Sequence, residues 1–158
     1  MNIFNTNYVP LVKLVMIKER FLPYASEKLY TPKRVARMVN RIVEGADREY
    51  LIAVSLNEAK EPVGVEIIAI GSMNAAYAEV REIFKHAILT GATGLVLVHN
   101  HPSSGDLEPS DSDWHMTERI RQAGELLGIK VFDHIIIGED GAFVSLLEME
   151  RWNESKAA

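Results

Sequence analysis

Apolar positions along the chain recur at two spacings, and each spacing predicts an element type. Residues 10–17, PLVKLVMI, form an apolar run opened by a proline and predict an edge strand. Residues 18–30 keep no period and read as a connection. Thr31 and Pro32 then supply an N-cap and a first-turn proline, and Val35, Met38, Val39, Ile42 and Val43 follow at helical spacing. This amphipathic helix ends near Gly45, with Lys33, Arg34, Arg37 and Arg41 as its solvated face. Residues 51–56, LIAVSL, have the composition of a central strand, and residues 63–70 return beside it as the second arm of a hairpin. A break at residues 71–74 precedes a second helix over 77–91. Its inner stripe is Val80, Ile83, Phe84, Ala87 and Ile88, which leaves His86 exposed.

Residues 95–98, LVLV, are a short continuous apolar run and predict a buried strand. A third helix spans 110–127 and is closed by Gly128. A strand over 129–138, a turn at 139–141 and a last strand over 142–147 complete the pattern. Three helices and about six strands, with one strand–helix–strand crossover, predict an α/β fold: a mixed β-sheet flanked by three helices. The expected organisation is a flexible arm over 1–9, one domain over 10–148 and a polar tail over 149–158.

Composition narrows the class. At 158 residues, 47% hydrophobic and 25% charged, the chain can bury a core without disulfides or metal staples. No apolar run reaches the ~18 residues of a membrane helix, and the first residues resemble no secretion signal, so a cytoplasmic protein is expected. The lack of cysteine agrees with that. Net charge is −5, from 22 acidic against 17 basic residues, with no basic block. A role that consists of gripping phosphate backbones is therefore disfavoured, and nucleic acid is a secondary expectation.

The chemistry concentrates where the buried run ends. His99 and His101 lie two apart on extended backbone, so both point to one face while Asn100 points to the other. Pro102 ends ladder pairing and begins a loop through Ser103, Ser104, Gly105 and Asp106. Ser110 and Asp113 lie three apart at the start of the next helix and share a face that can look back at the histidines. Two imidazoles and a carboxylate suit zinc, and three protein ligands are the catalytic count, because the fourth place is left for water. A second reading of Ser110 and Asp113 is a capping box, with the acid three residues after a serine N-cap. His115 lies too far round the helix to join the group. Trp114 reads as a partly buried aromatic, and Asp133-His134 as a satisfied core pair.

The string HNHPSSGDLEPSDSD, residues 99–113, resembles the JAMM signature of the JAB/MPN metalloprotease superfamily, and within it the RadC-like bacterial branch. The run REIFK, residues 81–85, resembles that branch in the same place, as does Asp133-His134, whereas Val80 stands where the branch often has proline. The loop between His101 and Ser110 is one residue longer than the family's usual one. The resemblance implies the MPN architecture, of the JAB1/cytidine-deaminase-like kind, over about residues 10–148. It implies His99, His101 and Asp113 as zinc ligands. It also implies Glu49, in the run DREYLIAV, as the base that reaches the metal's water, and Ser110 as the second catalytic residue. Glu44 and Glu66 are the competitors for the place of Glu49. In full-length members a helix-hairpin-helix segment stands ahead of this domain, where this sequence has only a short arm.

The implied activity is hydrolysis of a peptide or isopeptide amide in a peptide or protein substrate. Two rival readings follow from the same resemblance. One is a DNA-repair-associated or nucleic-acid-processing protein of the RadC type, which the acidic charge disfavours. The other is a non-catalytic protein-binding MPN module, which the retained motif disfavours.

Overall fold

The computed structural model describes residues 8–24, 31–71, 79–102 and 107–150. Expectations that fall on residues 1–7, 25–30, 72–78, 103–106 and 151–158 lie outside the described residues, including the loop residues Ser103, Ser104, Gly105 and Asp106. The first regular element among the described residues is α1 (Pro32–Val43), which Thr31 caps by accepting from the Arg34 N–H at 3.3 Å, with Pro32 in the first turn. Strands β1 (Glu49–Leu56) and β2 (Pro62–Gly71) form the antiparallel hairpin. Helix α2 (Val80–Thr90) leads into β3 (Gly94–Asn100), and α3 (Asp111–Leu127) crosses over to β4 (Lys130–Ile137). A short 3₁₀ turn (Glu139–Gly141) precedes β5 (Phe143–Ser145).

The sheet runs β2-β1-β3-β4-β5. Only β3 and β4 are parallel, because α3 must carry the chain back across the sheet before β4 can start. β3 is buried along its whole length, which explains its continuous apolar run. Its even positions, Val96 and Val98, pack with Ile52 and Val54 against Val35 and Val39 of α1. Its odd positions, Leu95 and Leu97, pack with Leu51 and Ala53 against Ile83 and Phe84 of α2 and Met116 and Ile120 of α3. The fold is therefore three layers, with α1 on one face of a mixed sheet and α2 and α3 on the other.

Three expectations are corrected. Residues 10–17 form no strand: they carry no secondary structure and are exposed, with Leu11, Val12, Leu14, Val15 and Ile17 open to solvent. Apolar content alone does not make a strand, since the ladder needs a partner and among the described residues the sheet has five strands. The last strand stops at Ser145, and residues 146–150 are helical, with Leu146 buried and Arg121 holding Glu150 at 2.9 Å. His86 is half-buried rather than exposed, its Nδ1 2.9 Å from Ser55 Oγ. Room for that ring comes from Gly64, where a Cβ would lie 2.2 Å from the imidazole.

Candidate metal centre

β3 ends at the carboxyl edge of the sheet, where α3 begins. His99 shares a face with Leu97 and Leu95, so its side chain emerges on the side of α2 and α3. On α3, Asp113 stands on the same stripe as Met116 and Ile120, and it is buried against the sheet although it is an acid. The outcome is a cluster in which one ligand atom each from His99, His101 and Asp113 lies within 4.8 Å of the others. His99 Nε2 is 3.0 Å from His101 Nε2 and 3.3 Å from Asp113 Oδ1. Two imidazole nitrogens and a carboxylate oxygen, from two separate elements, thus face one small volume. This donor set fits a divalent metal ion, which such a group could hold.

The capping box and a place in the cluster are compatible at Asp113, because its two oxygens have different partners. Oδ2 accepts from the Ser110 backbone N–H at 2.8 Å and from the Ser110 hydroxyl at 2.7 Å. Ser110 Oγ in turn accepts from the Asp113 N–H at 3.2 Å, which completes the box. Oδ1 is the oxygen that faces His99. The cap therefore orients the carboxylate. Ser110 itself is exposed, and its hydroxyl meets the cluster through Asp113.

Glu49 is the first residue of β1 and is half-buried. β1 pairs antiparallel with β3, Leu51 opposite His99, and the same register carried two residues on sets Glu49 opposite His101. By alternation it shares the face of Leu51 and Ala53, which is the face of His99. Asn100, on the opposite face and buried, reaches the backbone on either side of Glu49. Its Oδ1 accepts from the Tyr50 N–H at 2.7 Å and its Nδ2 donates to the Arg48 carbonyl at 3.0 Å. Of the competing acids, Glu44 caps the exposed end of α1. Glu66 lies opposite Ala53, further along the sheet, and its charge acts on His86.

Burial sets the protonation of the histidines. His99 is pushed down to about 4, chiefly by burial, with the Asp113 charge opposing and His101 assisting. His134 is held well below the ordinary histidine value by burial first, and by His99 and His101 after it. Both rings are neutral at physiological pH, and neutral imidazole is the form that ligates metals.

Sequence reasoning missed His134 as part of this site. Its Nε2 lies 2.8 Å from His99 Nδ1 and its Nδ1 lies 2.6 Å from Thr117 Oγ1. A register shift between β3 and β4 sets Val131 opposite Leu95 but Asp133 opposite Val96 and His134 opposite Leu97, which turns the His134 ring toward α3. The Asp133 carboxylate instead accepts from the Ser145 hydroxyl at 2.7 Å and from the N–H groups of His134 and Leu147 at 2.8 and 3.2 Å. Both ring nitrogens of His134 are occupied by His99 and Thr117, so Asp133 and His134 form no catalytic dyad. His115 is exposed and Trp114 half-buried, and neither belongs to the three-residue group.

Comparison with known proteins places this geometry in a family. Residues 29–152 match the family model described as the RadC-like JAB domain. A protein of Desulforudis audaxviator named as a UPF0758 protein is 46% identical over 116 residues, which cover 73% of this chain and 50% of that protein. A UPF0758 protein of Moorella thermoacetica is 44% identical over 117 residues, covering 74% of this chain and 50% of its own length. One from Methanosarcina acetivorans is 39% identical over 128 residues, with 81% and 55% covered. The chain spans about half the length of the curated relatives it matches. Among the described residues, no helix is long and apolar enough to cross a membrane.

Proposed function

The chain belongs to the RadC-like JAB domain family, and on that premise we propose that it is a zinc-dependent hydrolase of JAMM type that cleaves a peptide or isopeptide amide in a protein substrate. The observation that carries this reading is the convergence of His99, His101 and Asp113, three donors of the kind and number that catalytic zinc takes. These residues would hold the ion, which supplies a Lewis acid and makes water a nucleophile near neutral pH.

The chain's own residues handle the protons. Glu49 takes the proton released as water adds to the amide carbonyl carbon, and delivers it to the nitrogen as the C–N bond breaks, so that acid and amine leave. Asn100 fixes the backbone from which Glu49 projects. Ser110 turns its hydroxyl hydrogen from Asp113 Oδ2 to the oxyanion, while its lone pair still caps α3 and its backbone N–H still holds Oδ2.

The test is a Glu49→Gln variant assayed for zinc content and for hydrolysis of a panel of fluorogenic peptide amides and Nε-linked isopeptide amides. Full zinc with hydrolysis lost by about two to four orders of magnitude is the expected result, the usual range of general acid–base contributions. Full zinc with unaltered hydrolysis rejects the scheme.

A further inference from the structure

Behind His99 runs a line of contacts that the hydrolytic scheme does not use. Thr117 Oγ1 lies 2.7 Å from the Asp113 carbonyl oxygen and 2.6 Å from His134 Nδ1, and His134 Nε2 lies 2.8 Å from His99 Nδ1. The direction of every hydrogen in this line follows from its first member. A carbonyl oxygen only accepts, so the one hydroxyl hydrogen of Thr117 is donated to Asp113. His134 Nδ1 must then carry a hydrogen and donate it to Thr117 Oγ1. Neutral His134, 1% exposed, has one N–H, so its Nε2 is bare and accepts. His99 Nδ1 is consequently the protonated nitrogen, and His99 Nε2 presents a lone pair toward His101 and Asp113.

We propose that Thr117 and His134 are positioning residues that set the tautomer of His99, so that its ligand nitrogen is already unprotonated before a metal ion arrives. The inference rests on His99 being a metal ligand. It answers a real competition, because Asp113 Oδ1, 3.3 Å from His99 Nε2, draws a proton to the nitrogen that must be bare. The relay opposes that pull from the far side of the ring, with contacts of 2.6 to 2.8 Å. His99 and His101 Nε2 atoms, 3.0 Å apart, share one hydrogen in the metal-free protein, and with His99 bare it belongs to His101. Metal entry then requires one ring, not two, to move its proton.

The experiment uses long-range ¹H–¹⁵N correlation spectra of the metal-free full chain, together with zinc affinity measured by competition with a chromophoric chelator. The wild-type spectrum is expected to show His99 and His134 protonated at Nδ1. Thr117→Val, which removes the acceptor for His134 with little change in shape, is expected to move His99 toward the Nε2 tautomer. It should weaken zinc binding by about 10- to 100-fold, the usual range for outer-sphere partners of a ligand histidine. Thr117→Ser should restore both. Zinc binding by wild type with His99 protonated at Nε2 overturns the relay alone, as does Thr117→Val with unchanged affinity and tautomer. Wild type that binds no zinc overturns the metal reading, and the relay with it. The wild-type spectrum needs no substitution, so a Thr117→Val protein that fails to fold leaves the tautomer assignment decided.

Discussion

Ser110 carries two tasks whose energies differ, and Ser110→Ala separates them. As N-cap it accepts from the Asp113 N–H at 3.2 Å, and loss of such a cap costs about 1 kcal/mol, within a range of roughly 0.5–2. The substitution also removes the hydroxyl donor at 2.7 Å from Asp113 Oδ2, but the Ser110 N–H at 2.8 Å remains, so the carboxylate keeps its orientation toward His99. Folding stability should therefore fall by about 1–2 kcal/mol, which in a domain of this size lowers Tm by roughly 2–8 °C. Zinc stoichiometry should stay near one per chain. Hydrolysis should fall much further, by about 10²–10³ in kcat, because a lost oxyanion donor is felt in the transition state. Asp113→Asn is the contrasting variant: its backbone N–H still meets Ser110 Oγ, but the charged ligand oxygen is gone, and zinc binding should fail while the fold persists. The measurements are urea unfolding, metal analysis of the dialysed protein, and turnover corrected for the folded fraction. Wild-type turnover in Ser110→Ala would reduce Ser110 to a helix cap. Loss of zinc in that variant would show that the backbone N–H alone does not orient Asp113.

Three further outcomes follow from the same geometry. The metal-free protein should lose stability on acidification: His99 is pushed down to about 4 in the folded chain, so below the ordinary value of about 6.5 the unfolded chain binds the extra proton. The loss should begin as pH falls through 6.5 and reach on the order of 3 kcal/mol from His99 alone near pH 4, with His134 adding in the same direction; a flat urea midpoint over that window would refute it. Asn100→Ala removes the bonds to Arg48 and Tyr50 and should cost about 2 kcal/mol or more, with hydrolysis impaired beyond the folded fraction and zinc retained; turnover unchanged per folded molecule would detach Asn100 from Glu49. Zinc at a hundred times its Kd should raise unfolding free energy by about 2.7 kcal/mol, reversed by chelator, and an unfolding curve indifferent to both would remove the metal from the account.

The features legible in the sequence are those decided within a few residues. Thr31-Pro32 starts α1 as predicted, Gly128 closes α3 with φ 68°, and the unbroken apolar run of β3 announced a strand covered on both faces. The convergence of His99, His101 and Asp113 was readable from two local periods, residue i with i+2 on a strand and the first turn of the following helix. What failed depended on pairings that no local pattern encodes. The shift in register between β3 and β4 decides that His134, not Asp133, meets α3, and nothing near residues 131–134 announces it. Residues 10–17 have strand composition without a ladder partner. His86 is half-buried because Gly64, twenty-two residues earlier, leaves a space for it. Asn100 was rightly placed on the far face, yet its hold on Arg48 and Tyr50 follows only from the β1–β3 register. Cap and cluster do not compete for Asp113, since a carboxylate has two oxygens and here each has its own partner.

The position of the cluster follows from topology. A helix that connects two parallel neighbouring strands must start where the first strand ends, so β3-α3-β4 brings the first turn of α3 to the carboxyl edge of the sheet. Strand-end histidines and a first-turn acid are thereby neighbours for any intervening loop long enough to turn. β3 also lies between a parallel neighbour, β4, and an antiparallel one, β1, whose beginning lies beside the end of β3. The antiparallel partner supplies Glu49 and the parallel partner supplies His134. A sheet with β1 parallel to β3 would carry the first residue of β1 to the opposite edge, far from His101. The mixed sheet thus puts a strand-start acid beside a strand-end histidine pair, and reversal of that single pairing would dismantle the proposed chemistry while leaving His99, His101 and Asp113 together.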